Sequence, residues 1–249
     1  MSDRIKRMRI FAGPNGSGKS TLYDYLLRIG AFHSYYFVNA DNIARDLPVC
    51  ADFTNYPIDF SEFEIRQFLD ASTFQSLTTH LLSNQIEIKN KAIHLKNKKD
   101  DIITYLAAAI ADFLRQKMIE SNSSFSFESV FSHPSKITEL ENAKKNEFKT
   151  YLYFVAMANP EINCKRVLNR AQSGGHDVPA PKIQERFYKT MKNLYPAFCL
   201  CDKVFFFDNS SERTNGIYHL FAEKSNNELS FTDFIPNWFN EYILKRMGA

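Results

Sequence analysis

The stretch GPNGSGKS, Gly13–Ser20, constrains this chain more than any other. It has the spacing G-x-x-x-x-G-K-[ST]. Its glycines let the backbone wrap an anion with several N–H groups, and a helix opening at its end points a positive N-terminus at the same anion. The apolar run RMRIFA, Arg7–Ala12, precedes it. STLYDYLLRIG follows, with Leu22, Tyr23, Leu26 and Leu27 on one helical face and Gly30 as the stop. Strand, glycine loop and helix in this order predict nucleoside triphosphate binding by Gly13, Pro14, Asn15, Gly16, Ser17, Gly18, Lys19, Ser20 and Thr21. Lys19 is expected to bridge the outer phosphates, and the Ser20 hydroxyl to ligate Mg2+. ATP and Mg2+ are therefore the expected cofactors.

Further strands are read at SYYFVNAD, SSFSFESVF, TYLYFVAMA and KVFFFDN, with helical patterns at about 135–146, 161–171 and 181–198. Continuous apolar strands alternating with helices imply a buried parallel sheet. The expected class is α/β: a three-layer αβα P-loop fold with a mainly parallel sheet of five to six strands. The segment from about 46 to 122 is more polar, carries a lysine-rich patch, and has a good helix at 101–119. It reads as a helical insertion in a single domain spanning 1–249. An edge hairpin turning at Asn226-Asn227 and a closing helix through Trp238 complete the chain.

Net charge is +3, with acids and bases nearly balanced. That argues neither for a nucleic-acid partner nor for a membrane surface. No apolar run has the length of a membrane span, and the N-terminus lacks the apolar core of a signal peptide. The four cysteines have no metal spacing, and Cys199 and Cys201 read as two buried thiols. A reducing cytoplasm fits.

A GTPase switch needs Asp-x-x-Gly, and none occurs. A motor ATPase needs an apolar strand ending in two acids, whereas KVFFFDN offers Asp208 alone. A small-molecule kinase needs a carboxylate near the loop and arginines to cover the transferring phosphoryl group. Asp41 follows the second strand, where the ligand crevice of an α/β sheet lies. It reads either as the base that takes the acceptor's proton or as the N-cap of a short helix. Glu128, flanked by Phe127 and Ser129, reads as a metal or substrate ligand or as a structural partner. Arg166 and Arg170 share one helical face, and Arg186 lies on the next helix. Gly174, Gly175, Pro179 and Pro181 break the chain between them. The segment at about 170–186 is either a lid over a nucleotide or a solvated helical hairpin. His176 within it is a phosphate or acceptor contact, or a hinge residue.

FAGPNGSGKST, NADNIA, SFSFESVFSHPSK, ANPEINCKRVLNRAQSGGHDVPAPKIQERF and FDNS together resemble the zeta-toxin family of P-loop kinases. The resemblance spans Phe11 to Ser210. It implies an ATP-dependent phosphotransferase acting on a hydroxyl of a nucleotide sugar such as UDP-N-acetylglucosamine, and an antitoxin partner. It implies Lys19 as the loop lysine, Asp41 as the base, Glu128 as the acid after the third strand, and Arg170 and Arg186 as the lid arginines. The glycine-histidine insertion and the long segment at 46–122 depart from the plasmid toxins.

Overall fold

A computed structural model describes residues 5–34, 36–96, 100–172, 178–210, 218–226, 228–232 and 234–248. They fall into two compact units, one drawn from Met1–Ser34 and Ser126–Ala249, the other from Tyr35–Phe125.

The first unit is built on β1 (Arg7–Ala12), which leads through the glycine loop into α1 (Lys19–Arg28). After the second unit the chain continues with β6 (Phe125–Ser129), α5 (Ser135–Lys145), β7 (Lys149–Ala156), α6 (Pro160–Gln172) and α7 (Ala180–Leu200). β8 (Lys203–Asp208), β9 (His219–Ser225), β10 (Glu228–Phe231) and a helical segment at 237–247 follow. The strands lie in the order β10-β9-β8-β7-β1-β6. β1, β7 and β8 run parallel, with Ile10 opposite Leu152 and Leu152 opposite Val204. β9 and β10 add an antiparallel edge, in which Asn226 takes φ 50° at the turn and Asn227 lies outside the described residues.

The run of three phenylalanines in β8 shows why the strands are apolar throughout. Successive side chains point to opposite faces of a sheet. Phe205 stacks on Tyr153 at 4.9 Å, and Tyr153 stacks on Phe11, which meets Tyr23 of α1 edge-on. Phe206 faces the other way, against Phe239 at 4.8 Å and Phe198 of α7. Both faces are therefore covered by helices, and each buried ring contributes about 2–3 kcal/mol.

α1 ends as Gly30 predicts: at φ 69° its N–H donates to Leu27 O and that of Ala31 to Leu26 O, a left-handed cap. Leu27 itself is 40% exposed, so the apolar face is Leu22, Tyr23 and Leu26. The pairing of Cys199 with Cys201 as buried thiols is also corrected. Cys201 is buried, whereas Cys199 lies on the exposed side of the end of α7. Lys224 reaches under that end from β9 and donates to the carbonyls of Phe198, Cys199 and Cys201. Burial pushes the Cys201 thiol up to about 12 and the Lys224 ammonium down.

The second unit contains β2 (Phe37–Val38), α2 (Ala40–Asp46), β3 (Ala51–Asp52), α3 (Glu62–Ala71), β4 (Ile86–Lys89), β5 (Ala92–Leu95) and α4 (Asp100–Glu120). It differs from a purely helical insertion. β3, β5 and β4 form an antiparallel sheet, with Asn90 and Lys91 both at positive φ in the two-residue β4–β5 turn. α3 carries a complete Ser61–Glu64 capping box and packs on α4, where Phe113 meets Phe60 and Phe68 edge-on. The strand expected over SYYFVNAD is only Phe37–Val38, because Asn39 already caps the next helix.

Candidate active site

The glycine loop holds three backbone conformations that a side chain would strain: Gly13 at φ 151°, Gly16 at 73° and Gly18 at 95°. Gly18 is also the N-cap of α1, and its carbonyl accepts the first helical bond from Leu22 N–H. The loop closes on itself through Ser17 N–H to Pro14 O. Lys19 is buried, and its Nζ donates to Pro14 O at 3.0 Å.

Glu128 reaches the loop from the end of β6. Its Oε2 accepts from the Ser20 hydroxyl at 2.8 Å, and its Oε1 lies 3.8 Å from Lys19 Nζ. The Glu128 side chain is 11% exposed and that of Lys19 7%, so this pair sits where solvent screens little. Lys19, Ser20 and Glu128 thus meet at the start of α1. Among the described residues no group of three or more His, Cys, Asp or Glu could hold a metal ion. Ser20 and Glu128 supply one hydroxyl and one carboxylate, a donor set that suits Mg2+ when phosphates and waters complete its shell.

Three side chains outside the motif hold the loop from behind. Asn163 of α6 donates to Asn15 O at 2.6 Å, Asn209 just after β8 to Ser17 O at 2.8 Å, and Tyr218 to Gly18 O at 2.7 Å. Asn163 and Asn209 are almost wholly buried, and the oxygen of each amide has no partner among the described residues. Sequence reasoning passed over all three. The position of Asn209 was the available signal, since the carboxyl ends of strands line the crevice of such sheets. Arg166, which shares a helical face with Arg170, donates to Asn209 O at 3.0 Å. Asp208 accepts from Ser210 and from Trp238 Nε1, so it braces the C-terminal segment.

Arg170 lies in the last turn of α6 and is exposed; Arg186 lies on α7 and is half-buried. His176, Gly174 and Gly175 lie outside the described residues. In the second unit, Asp41 sits in the first turn of α2 with its side chain exposed. The N-cap is Asn39, whose Oδ1 accepts from Asp41 N–H at 2.8 Å and from Asn42 N–H. The capping role considered for Asp41 therefore belongs to Asn39, and the Asp41 carboxylate is not needed for it.

No family model matches the chain. An uncharacterized protein of Haemophilus influenzae is 26% identical over 116 residues, 47% of this chain and 83% of that protein. Among solved structures, the AvrRxo1-ORF1:AvrRxo1-ORF2 complex with ATP contains a similar chain, with TM-score 0.53 and 16% identity. The match covers 92% of this chain and 61% of that one, so this chain spans less than two thirds of its length. A structure of the PezAT chromosomal toxin–antitoxin system of Streptococcus pneumoniae gives TM-score 0.53 at 11% identity, covering 98% of this chain and 80% of that one. These likenesses establish a shared fold, mixed α/β with a mostly parallel sheet. Among the described residues, no helix is long and apolar enough to cross a membrane.

Proposed function

We propose that this chain is a zeta-toxin-like kinase that transfers the γ-phosphoryl group of ATP to a hydroxyl of a nucleotide sugar such as UDP-N-acetylglucosamine. The observation that carries the reading is the meeting of Lys19 and Ser20 on the Glu128 carboxylate at the mouth of a braced phosphate loop. The backbone N–H groups of 13–20 bind the phosphate chain. Lys19 exchanges Pro14 O for the outer phosphates. Ser20 and Glu128 would hold Mg2+, which would supply positive charge against the transferring phosphoryl group. Asp41 accepts the acceptor hydroxyl's proton at a carboxylate oxygen. Arg170 and Arg186 orient the transferring group and help exclude water, so that ATP is not simply hydrolysed.

The domain reading is one kinase domain carrying residues of about 46–122 as an insertion, with 170–186 as its lid. The place of action is a reducing cytoplasm. An antitoxin partner follows from the resemblance and is supported by the toxin–antitoxin system among the similar structures.

The test is incubation with ATP, Mg2+ and a panel of UDP-sugars, read by mass spectrometry. One sugar nucleotide is expected to gain one phosphate, and Lys19→Ala and Asp41→Asn to abolish the gain. Full activity in Asp41→Asn would sink the base assignment. No mass gain with any UDP-sugar would remove the acceptor class.

A further inference from the structure

The phosphate loop owes its shape to residues far from it in sequence. Asn209 is fixed at every polar backbone atom. Its N–H donates to Ala156 O at 2.9 Å, which extends the β7–β8 ladder by one step, and its carbonyl accepts from Arg166. The next residue is locked as well: Ser210 closes a turn on Asp208, and its Oγ accepts from Ala158 N–H at 2.8 Å. From this anchored position the Asn209 amide donates to Ser17 O, while Tyr218 donates to Gly18 O.

Gly18 itself reports how tight the arrangement is. A Cβ there would lie 2.8 Å from Asn209 Nδ2 and 2.8 Å from the Tyr218 hydroxyl. A side chain there would press on both braces, and the φ of 95° is itself one that L residues rarely adopt. A peptide unit whose carbonyl is held from behind has its N–H fixed on the opposite side, where the loop's anion sits. Ser17 O and Gly18 O belong to the peptides whose N–H groups are those of Gly18 and Lys19.

We propose that Asn209 and Tyr218 are positioning residues for ATP: they hold the Ser17 and Gly18 carbonyls so that the N–H groups of Gly18 and Lys19 point at the phosphate chain. The inference rests on the reading of the loop as a nucleotide site, and not on any acceptor. Both donors are neutral, so they fix the loop without adding a charge that competes with Lys19 for the phosphates.

The test uses the full chain with Tyr218→Phe, which removes one hydroxyl, and Asn209→Leu, which keeps the shape of the side chain and removes the donor. ATP affinity is measured by calorimetry, KM and kcat by turnover, and the melting temperature without nucleotide. Each variant is expected to bind ATP about tenfold more weakly, the usual consequence of one lost buried donor. KM for ATP rises in step, while kcat and the nucleotide-free melting temperature of Tyr218→Phe stay near those of the wild type. Unchanged ATP affinity in both variants would overturn the proposal. So would a fall in the melting temperature of Tyr218→Phe with no change in ATP affinity, which marks an ordinary core role. A wild-type chain that binds no ATP removes the nucleotide reading and this inference together. Wild-type binding without phosphoryl transfer, with both variants weakened, removes the kinase reading alone and supports the braces.

Discussion

The two units use their polar side chains differently. Around the phosphate loop the supporting groups are neutral and buried: Asn163, Asn209 and Tyr218 each hold one backbone carbonyl. In the unit of residues 36–125 ion pairs join charged side chains to exposed carboxylates, as in Lys117 with Glu64 and Lys91 with Asp59. A neutral donor behind a loop fixes geometry and leaves the electrostatics to Lys19 and Glu128. A surface ion pair contributes roughly 0–1 kcal/mol and is screened by salt. The first arrangement suits a site, the second an ordinary folded surface.

The proposed base, Asp41, is the largest challenge to that contrast, because it would place chemistry in the second unit. Asp41→Asn is expected to lower phosphotransfer by about 100- to 10,000-fold, the usual share of a general base, with ATP affinity unchanged. Turnover beside calorimetry checks this. If turnover survives, the second unit contributes no base and the contrast is complete. Glu128→Gln keeps the shape of the side chain but removes the charge facing Ser20 and Lys19. A loss of turnover of about 100-fold is expected, with a raised Mg2+ requirement seen in a metal titration.

Smaller effects separate stability from function. Lys224→Met leaves the carbonyls of Phe198, Cys199 and Cys201 without their shared donor. A loss of about 2 kcal/mol in urea denaturation is expected, with ATP affinity retained. In the second unit, hydrogen bonds from Lys117 and from the Ser61 N–H hold Glu64 down at about 2, against an ordinary value of 4.5. A carboxylate with a lowered folded value contributes stability above its unfolded pKa and loses it as pH falls through the folded one. Melting temperature is therefore expected to fall between about pH 4.5 and 2, and Glu64→Gln to flatten that slope slightly.

The loop, its strand and its helix were legible because their spacing is dictated by phosphate chemistry and their apolar runs by a sheet covered on both faces. The β8 phenylalanines follow the same rule. The sheet β3-β5-β4 was not legible. Its strands are two to four residues long, and its tight turn uses Asn90-Lys91 where the sequence code favours Asn-Gly. Lys91 is held in that turn by Ile58 O and Asp59, contacts distant in sequence. Asn39 displaced Asp41 as the cap for a similar reason: both are good caps, and only the position at which the helix starts decides between them. The braces Asn163, Asn209 and Tyr218 carry no local pattern, since each gains meaning only from the carbonyl it meets.

Trp238 donates its indole N–H to Asp208, the residue before Asn209, and it is the only tryptophan in the chain. The intrinsic emission of this protein excited at the red edge of the indole band therefore comes from a single fluorophore beside the carboxyl end of β8. Any event that shifts the 208–210 turn is recorded as a change in one spectrum, without a label.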